Sequence, residues 1–450
     1  MTLLKFVNCK CYNPIHMKKN YSILALGALL TFGSISELSA QALNGTVTIN
    51  SAQATGGTNY QTFTAFAAAI NTSGVNGPLV VNVVANSGPY NEQPALTNIA
   101  GTSASNPITI NGNGNTLTFN SSNSSTPYTL LLNNVDFLTV SNLKVEALGA
   151  TYAMAVVLSG GSDYNTFSAC TFSCPSNGTG SYQIPITFNS STSLPTTGGN
   201  PGNFNTFSTC TLTGGYYSIW HYGMTSSPYT RNNSFLNCAI QDWYVYMWYG
   251  YYSRNVTIKG CDISRPTRTN FTTTYLWSSG DYTHGLNFDS NVIHDLFQSN
   301  QTYSGTFYGF MYLGYGGIDG LRNKITNNIF RDIKWNGSTY LFYYNYNAIN
   351  DYWHNTFSFD NTTSTNHNGY LFYYCYGSGS NFNTWRNNLF SITQAGAGTW
   401  YCYYFGGNTA GSQINHNNYW LTSSNAILDT GQHKQITLRH GNRKVLMQTE

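Results

Sequence analysis

Asn165-Thr-Phe167-Ser-Ala-Cys170-Thr-Phe172 recurs as Asn205-Thr-Phe207-Ser-Thr-Cys210-Thr-Leu212 and again as Asn233-Ser-Phe235-Leu-Asn-Cys238-Ala-Ile240. A looser copy is Ile258-Lys-Gly-Cys261-Asp-Ile263, and Val140-Ser-Asn-Leu143-Lys-Val145 holds the same frame upstream. Further on, Asn replaces Cys in Ile325-Thr-Asn-Asn328-Ile-Phe330, Trp385-Arg-Asn-Asn388-Leu-Phe390 and Ile414-Asn-His-Asn417-Asn-Tyr419. With less regular copies around Ile293 and Trp353, the steps run from roughly 23 to 40 residues, which is the range of a repeat architecture. Apolar residues alternate within each copy with a period of two, so the unit is made of strands and turns, not of a packing helix. One such unit cannot bury its own apolar face. Stacking copies about 4.8 Å apart does, because each strand then hydrogen-bonds its equivalents on both sides.

The expected fold is therefore all-β, a right-handed parallel β-helix with coils over 106–425. Phe167, Phe207, Phe235 and Ile258 form one inward stack and Phe172, Leu212, Ile240 and Ile263 another. Cys170, Cys210, Cys238 and Cys261 lie between them near a bend that Asn328, Asn388 and Asn417 fill later. Asparagine fits a bend because its short amide tolerates left-handed backbone. A β-propeller is the structural rival, but its blades are antiparallel and joined by hairpins that this pattern lacks.

A second register accompanies the first. Tyr340-Leu-Phe342-Tyr-Tyr344 matches Tyr370-Leu-Phe372-Tyr-Tyr374, and Trp400-Tyr-Cys402-Tyr-Tyr404 follows. Related segments fall at 216–222, 244–249 and 307–313. Both alternating sets are aromatic, so one set must face out if the other fills the coil. Tyr244, Tyr249, Tyr312, Tyr344, Tyr374 and Tyr404 are the nominees for an external ladder, with the register open by one residue.

The ends differ from the body. Met17-Lys18-Lys19, the apolar run 21–35 and Ala40-Gln41-Ala42 have the order of a signal peptide over 17–42, and residues 1–16 look like an extension from a mis-assigned start. Residues 43–105 are expected to supply a cap and first coil. Thr62 caps a short helix through Phe63, Phe66, Ala67 and Ile70, the strand 79–83 follows, and Gly88-Pro89-Tyr90-Asn91-Glu92 closes it. This segment resembles the start of secreted right-handed β-helix proteins, notably large cell-surface proteins of Bacteroidota. The Asn-x-Phe/Ile coils are similar to the same repeat superfamily, over roughly 58–425. The resemblance implies export and a place outside the cell or on its surface. From 426 to 450 the composition becomes basic and unpatterned, as in a tail or in a truncated or frameshifted end.

Composition narrows the function. The chain has 19 Lys and Arg against 16 Asp and Glu, but four of the basic residues lie before residue 20 and four after 433. Setting these aside with Glu37 and Glu450 leaves 11 basic and 14 acidic residues in 43–430. A mildly acidic body without a basic stripe argues against a nucleic-acid partner. No membrane-length apolar stretch follows the leader. No Cys-x-x-Cys or Asp-rich loop occurs in the body, so neither a metal nor another cofactor is expected. The cysteines read as stacked interior thiols, with Cys174 free or paired to Cys170.

Two readings involve glycans. Exposed tyrosines flanked by Asn and Thr suit a surface or adhesive protein that binds an extracellular polysaccharide or surface glycan. The alternative is a polysaccharide lyase or glycoside hydrolase, for which paired carboxylates are needed. Asp281, His284, Asp289 and Asp332 are the candidates, with His294-Asp295 between them, and Arg265, Arg268 or Arg331 to neutralise charge. The four motifs of polygalacturonase-like enzymes (Asn-x-Asp, Asp-Asp, Gly-His-Gly, Arg-x-Lys) do not occur as a set. A structural stalk without ligand is the third reading. Ice binding through regular Thr-x-Thr rows is not expected, because the threonines keep no fixed position.

Overall fold

The computed structural model describes residues 41–429 apart from 196–197, 281, 312–320, 344–348, 363–366, 375–382, 395, 406–411 and 423–424. The expected leader and the stretch from 430 lie outside the described residues. From Leu43 onward the chain winds as a parallel β-helix through three sheets, one of 14 strands and two of 12. A coil runs through sheet A (Thr166–Ser168 is one strand), sheet B (Thr171–Ser173) and sheet C (Tyr182–Phe188), then returns to sheet A one layer on. Strands before and after pair in parallel throughout the three sheets. No helix among the described residues is long and apolar enough to cross a membrane.

The start follows the sequence expectation. Helix α1 (Phe63–Ser73) buries Phe63, Phe66, Ala67 and Ile70, and the Thr62 hydroxyl accepts from the Ala65 amide at 2.9 Å. Glu92 adds a second cap, its carboxylate accepting from the Phe63 and Thr64 amides at 3.0 and 2.7 Å. Negative charge there also complements the helix dipole. At the other end, Ala426–Asp429 pairs with Trp400–Tyr404, so the coils continue past the expected boundary at 425.

The stacks follow from register. Phe167, Phe207 and Phe235 pair in successive strands, and their rings stack at 4.8 and 5.0 Å. Phe172, Leu212, Ile240 and Ile263 form the facing row, all fully buried. Each such side chain contributes about 1.5–3 kcal/mol when withdrawn from water, so the stacks dominate the stability of a coil.

Between the two rows, Cys170, Cys210, Cys238 and Cys261 are buried as expected. The left-handed backbone of this bend falls one residue earlier than the sequence suggests, on Ala169, Thr209, Asn237, Gly260, Asn327 and Asn387. The asparagines that replace the thiols do different work. Asn291, Asn328, Asn355, Asn388 and Asn417 form a buried ladder, each accepting from the amide of the residue one coil before at 2.9–3.0 Å. Their own NH2 groups reach back to carbonyls such as Phe288 O and Tyr352 O, at 2.9 and 2.7 Å. A second ladder closes the bend from sheet C to sheet A, through Asn165, Asn205 and Asn233 and later Asn323, Asn350 and Asn383.

The threonine expectation is corrected here. Thr139, Thr166, Thr206, Ser234 and Thr257 occupy one fixed outward position of sheet A on successive coils. The sequence hides this because the coil length between copies varies.

Removing one rung of the asparagine ladder tests its weight. Asn328→Ala strips an acceptor from the Asn291 amide and a donor from Phe288 O, both buried. Unsatisfied buried groups cost about 1–3 kcal/mol each. The variant is expected to lose about 2–4 kcal/mol in urea denaturation, with an unchanged far-ultraviolet spectrum.

Candidate functional site

Among the described residues, the acidic candidates do not converge. Asp281 lies outside the described residues. His284 is buried in the bend that leads into sheet A, where its amide donates to Ser253 O at 3.1 Å. Asp289 faces outward from the sheet A strand Asn287–Asp289, while Asp332 lies beyond the sheet B strand Ile329–Phe330. The three described candidates therefore sit at three different places around the coil.

Both of these carboxylates are held by cations. Lys259, one coil before, approaches Asp289 at 2.9 Å, and Thr326 and Asn327, one coil after, donate to it at 2.7 and 2.8 Å. Burial works to raise the Asp289 pKa, but the bonds from Asn327, Thr326 and Lys259 outweigh it and hold the carboxyl at about 2. It is anionic at neutral pH and has no proton to give. Asp332 pairs with Arg331 and lies 3.7 Å from Lys334.

His294 is bracketed by Asp295 at 2.7 Å and Asp262 at 3.1 Å on sheet B. Burial lowers its pKa, yet the hydrogen bonds to the two carboxylates prevail and raise it above the usual value. Of the proposed charge-neutralising arginines, Arg331 is exposed beside Asp332, whereas Arg265 and Arg268 are interior. Arg268 donates to Ser176 O, Gly178 O and Asp242 O at 2.7–2.8 Å and lies over the Tyr244 ring. Arg265 sits among the rings of Trp243, Phe271 and Phe297, where burial and then the nearby Arg268 lower its pKa to about 9. Both hold the loop after sheet B against the solenoid wall.

The outer face of sheet C has the more regular arrangement. Tyr217, Tyr246, Tyr275, Tyr308, Tyr340, Tyr370 and Tyr401 pair in register on seven successive coils. Their rings stack in series at 4.6–5.3 Å, nearly parallel. A second row, three residues on, holds Trp220, Tyr249, Ser278, Met311, Tyr343, Tyr373 and Tyr404. Edge-to-face contacts join the rows, as between Tyr340 and Tyr373 at 5.1 Å and between Tyr370 and Tyr404 at 5.4 Å. All the tyrosines of both rows are half-buried. Burial first, and then neighbouring phenols, raise the pKa of Tyr217, Tyr246 and Tyr249, so these hydroxyls are protonated donors.

Of the nominated tyrosines, Tyr249 and Tyr404 belong to the second row, and Tyr312 and Tyr344 lie outside the described residues. Tyr374 sits one residue past the row, in left-handed backbone beyond the strand. Tyr244 precedes its strand and packs under Arg268. The principal row was missed because Leu341 and Phe342, adjacent in sequence, are both fully buried. Strict alternation fails at that point, and Tyr340 and Tyr343 both face out.

The face has a built boundary. On earlier coils its positions are Leu131, Met154, Val157 and Ile184, which form a buried outer cluster against which Leu194 packs. From Tyr217 onward the first row is tyrosine throughout and the second is aromatic except at Ser278 and Met311, and no position of either row from Tyr217 and Trp220 to Tyr401 and Tyr404 carries a charge.

No family model and no curated protein matches the chain. Among solved structures it is similar to a GH136 lacto-N-biosidase from Eubacterium ramulus, at 13% identity and a TM-score of 0.41, over 84% of this chain and 68% of that one. It is also similar to the pectate lyase Pel9A, at 14% and 0.38 over 88% and 83%. The surface protein and adhesin PfbA of Streptococcus pneumoniae follows at 9% and 0.39, over 79% and 87%. What this chain shares with them is the coil. At these values no residue role transfers, and the functional argument rests on this chain's own faces.

The Asp289 arrangement makes a signed prediction. A carboxylate with a depressed folded pKa stabilises above its unfolded value and loses that contribution as pH falls through the folded one. The window here is from about pH 4 to pH 2. After discounting for the solvent that reaches Lys259, the contribution is about 1–2 kcal/mol. Asp289→Asn should flatten the acid limb of the stability curve by that amount in denaturant titrations between pH 5 and pH 2.

Proposed function

We propose that this is an extracellular or cell-surface β-helix protein whose sheet C face binds a neutral, unbranched polysaccharide lying along the solenoid axis. The observation that carries the reading is the seven-coil tyrosine row with its uncharged partner row. Uronate polymers demand cationic partners, and this face offers none. A neutral polymer demands repeated hydrogen bonds and apolar contact, which phenols supply together.

The stacking sets the mode of contact. Each ring covers much of its neighbours' faces, so a ligand meets mainly ring edges and phenolic hydroxyls, about one per 4.8 Å of axis. A polymer whose monomers repeat at a similar interval engages several coils at once. Single neutral hydrogen bonds are worth about 0.5–1.5 kcal/mol net, so affinity comes from their number. The cleavage reading needs Asp281, His284, Asp289 and Asp332 together; the described members of that group do not converge, and the carboxylates of Asp289 and Asp332 are committed to lysine and arginine.

Affinity electrophoresis and calorimetry against neutral glucans, mannans and xylans, with pectate and alginate as anionic counterparts, test the proposal. Binding is expected among the neutral polymers only. Tyr308→Phe, Tyr340→Phe and Tyr370→Phe combined keep the stack and remove three hydroxyls. At about 1 kcal/mol each, the triple variant should bind about a hundredfold more weakly with unchanged thermal stability. Preference for the anionic polymers, or an unaffected triple variant, overturns the reading.

A further inference from the structure

We propose that the four interior thiols are a cross-linking site, forming the disulfides Cys170–Cys210 and Cys238–Cys261 and so stapling neighbouring coils. Cys170, Cys174, Cys210, Cys238 and Cys261 are unbridged in the structure and lie within a hundred residues of one another. The flanking registers Phe167↔Phe207↔Phe235↔Ile258 and Phe172↔Leu212↔Ile240↔Ile263 run without a shift, so each thiol of the row stands opposite the next. The four thiols point the same way on successive coils, each lying 3.4–3.6 Å from a carbonyl of the coil before (Val140, Phe167, Phe207 and Phe235).

The row is closed at both ends. Leu143 occupies its position on the coil before, and on the coil after Asn291 accepts from the Cys261 amide at 2.9 Å. Four members admit one arrangement that uses them all, 170 with 210 and 238 with 261. Bonding 210 to 238 leaves both outer thiols two or more coils from any row partner. Cys174 is off the row, its thiol donating to Ala153 O at 2.9 Å, and Cys402 belongs to sheet C.

The geometry permits the bond and explains its character. Coils about 4.8 Å apart fall within the Cα separation of roughly 4.4–6.8 Å that disulfides span. Parallel side chains start near the same spacing at Cβ, above the usual range of about 3.5–4.5 Å, so each pair must draw together by a few tenths of an ångström. Such a bond is strained and more readily reduced than a relaxed one. Burial favours this chemistry over a metal, since a disulfide is neutral and metal binding would place thiolates in the core.

The oxidant is a low-molecular-weight disulfide. One cysteine thiolate attacks it, releasing one small thiol and leaving a mixed disulfide; the neighbouring cysteine thiolate displaces the second small thiol. Each protein bond costs two thiol protons and two electrons, all recovered in the two small thiols. Interior burial places this step during folding, before the coils close.

The test is refolding from denaturant in a buffer of reduced and oxidised glutathione, in parallel with refolding under reductant. Non-reducing peptide mapping is expected to find 170 linked to 210 and 238 linked to 261, and the oxidised sample to unfold at higher denaturant. Four alkylatable row thiols after redox refolding, or links that include Cys174 or Cys402, overturn the proposal. Cys210→Ala with Cys261→Ala leaves Cys170 and Cys238 two coils apart and should abolish every link. Cys170→Ala with Cys210→Ala should keep the link between 238 and 261, and its loss there counts against the pairing.

Discussion

Parallel hydrogen bonding between successive coils, in unbroken register along most of each sheet, is the constraint on which the rest depends. It fixes a spacing of about 4.8 Å between equivalent residues. Whatever stands at one position of the repeat is then brought against its own kind. Phenylalanine becomes a ring stack, asparagine becomes an amide ladder, cysteine becomes a row of thiols, and tyrosine becomes an external ribbon. The bends are where this regularity is most costly, because strand pairing stops there and backbone groups must still be satisfied. Amide ladders meet that need at the bend between sheets C and A on coils such as those of Asn165 and Asn350. At the bend between sheets A and B, Asn115 makes one early rung, and a continuous ladder runs from Asn291 onward, where thiols give way to asparagine.

How much of this was legible follows from the same constraint. Coil stacking and the Phe and Cys rows are readable because they repeat in a short contiguous frame around one bend, and the capped start because the Thr62 cap and the apolar face of α1 are local signals. Glu92 lies 28 and 29 residues from the α1 amides it caps, a separation that carries no local signal of the contact. The left-handed residue was misplaced by one, since Asn327 and Asn328 are chemically identical and only the fold assigns one to the backbone turn and the other to the ladder. The threonine row of sheet A escaped notice for a different reason. Its members are separated by 27, 40, 28 and 23 residues, so no fixed sequence period reveals them.

The acidic candidates show what sequence proximity is worth in such a fold. Residues 281–332 span little more than one turn of the solenoid, and neighbours in sequence are distributed around its circumference. Asp289 and Asp332 leave the coil on different faces, and each meets cations supplied by adjacent residues or adjacent coils. Side chains converge on a coil surface when they occupy equivalent positions on successive turns, as Lys259, Asp289 and Thr326 do on sheet A. An active-site argument for this chain therefore has to begin from register. By that criterion the aromatic rows are the most extended arrangement.

The tyrosine ribbon also settles which property of an aromatic side chain is on offer. An isolated exposed ring presents a face against which a sugar ring can stack. In the ribbon those faces are turned toward neighbouring tyrosines at 4.6–5.3 Å, and stacking energy has already been gained within the protein. What remains for a partner is a line of edges and hydroxyl groups whose spacing is set by the backbone and not by side-chain adjustment. That arrangement is rigid before binding, so little side-chain entropy is lost when a ligand arrives. It is also weak per contact and repetitive, which favours long ligands over short ones. On the proposed reading, the ribbon would recognise a polymer by length and regularity and would not select a single sugar in a pocket.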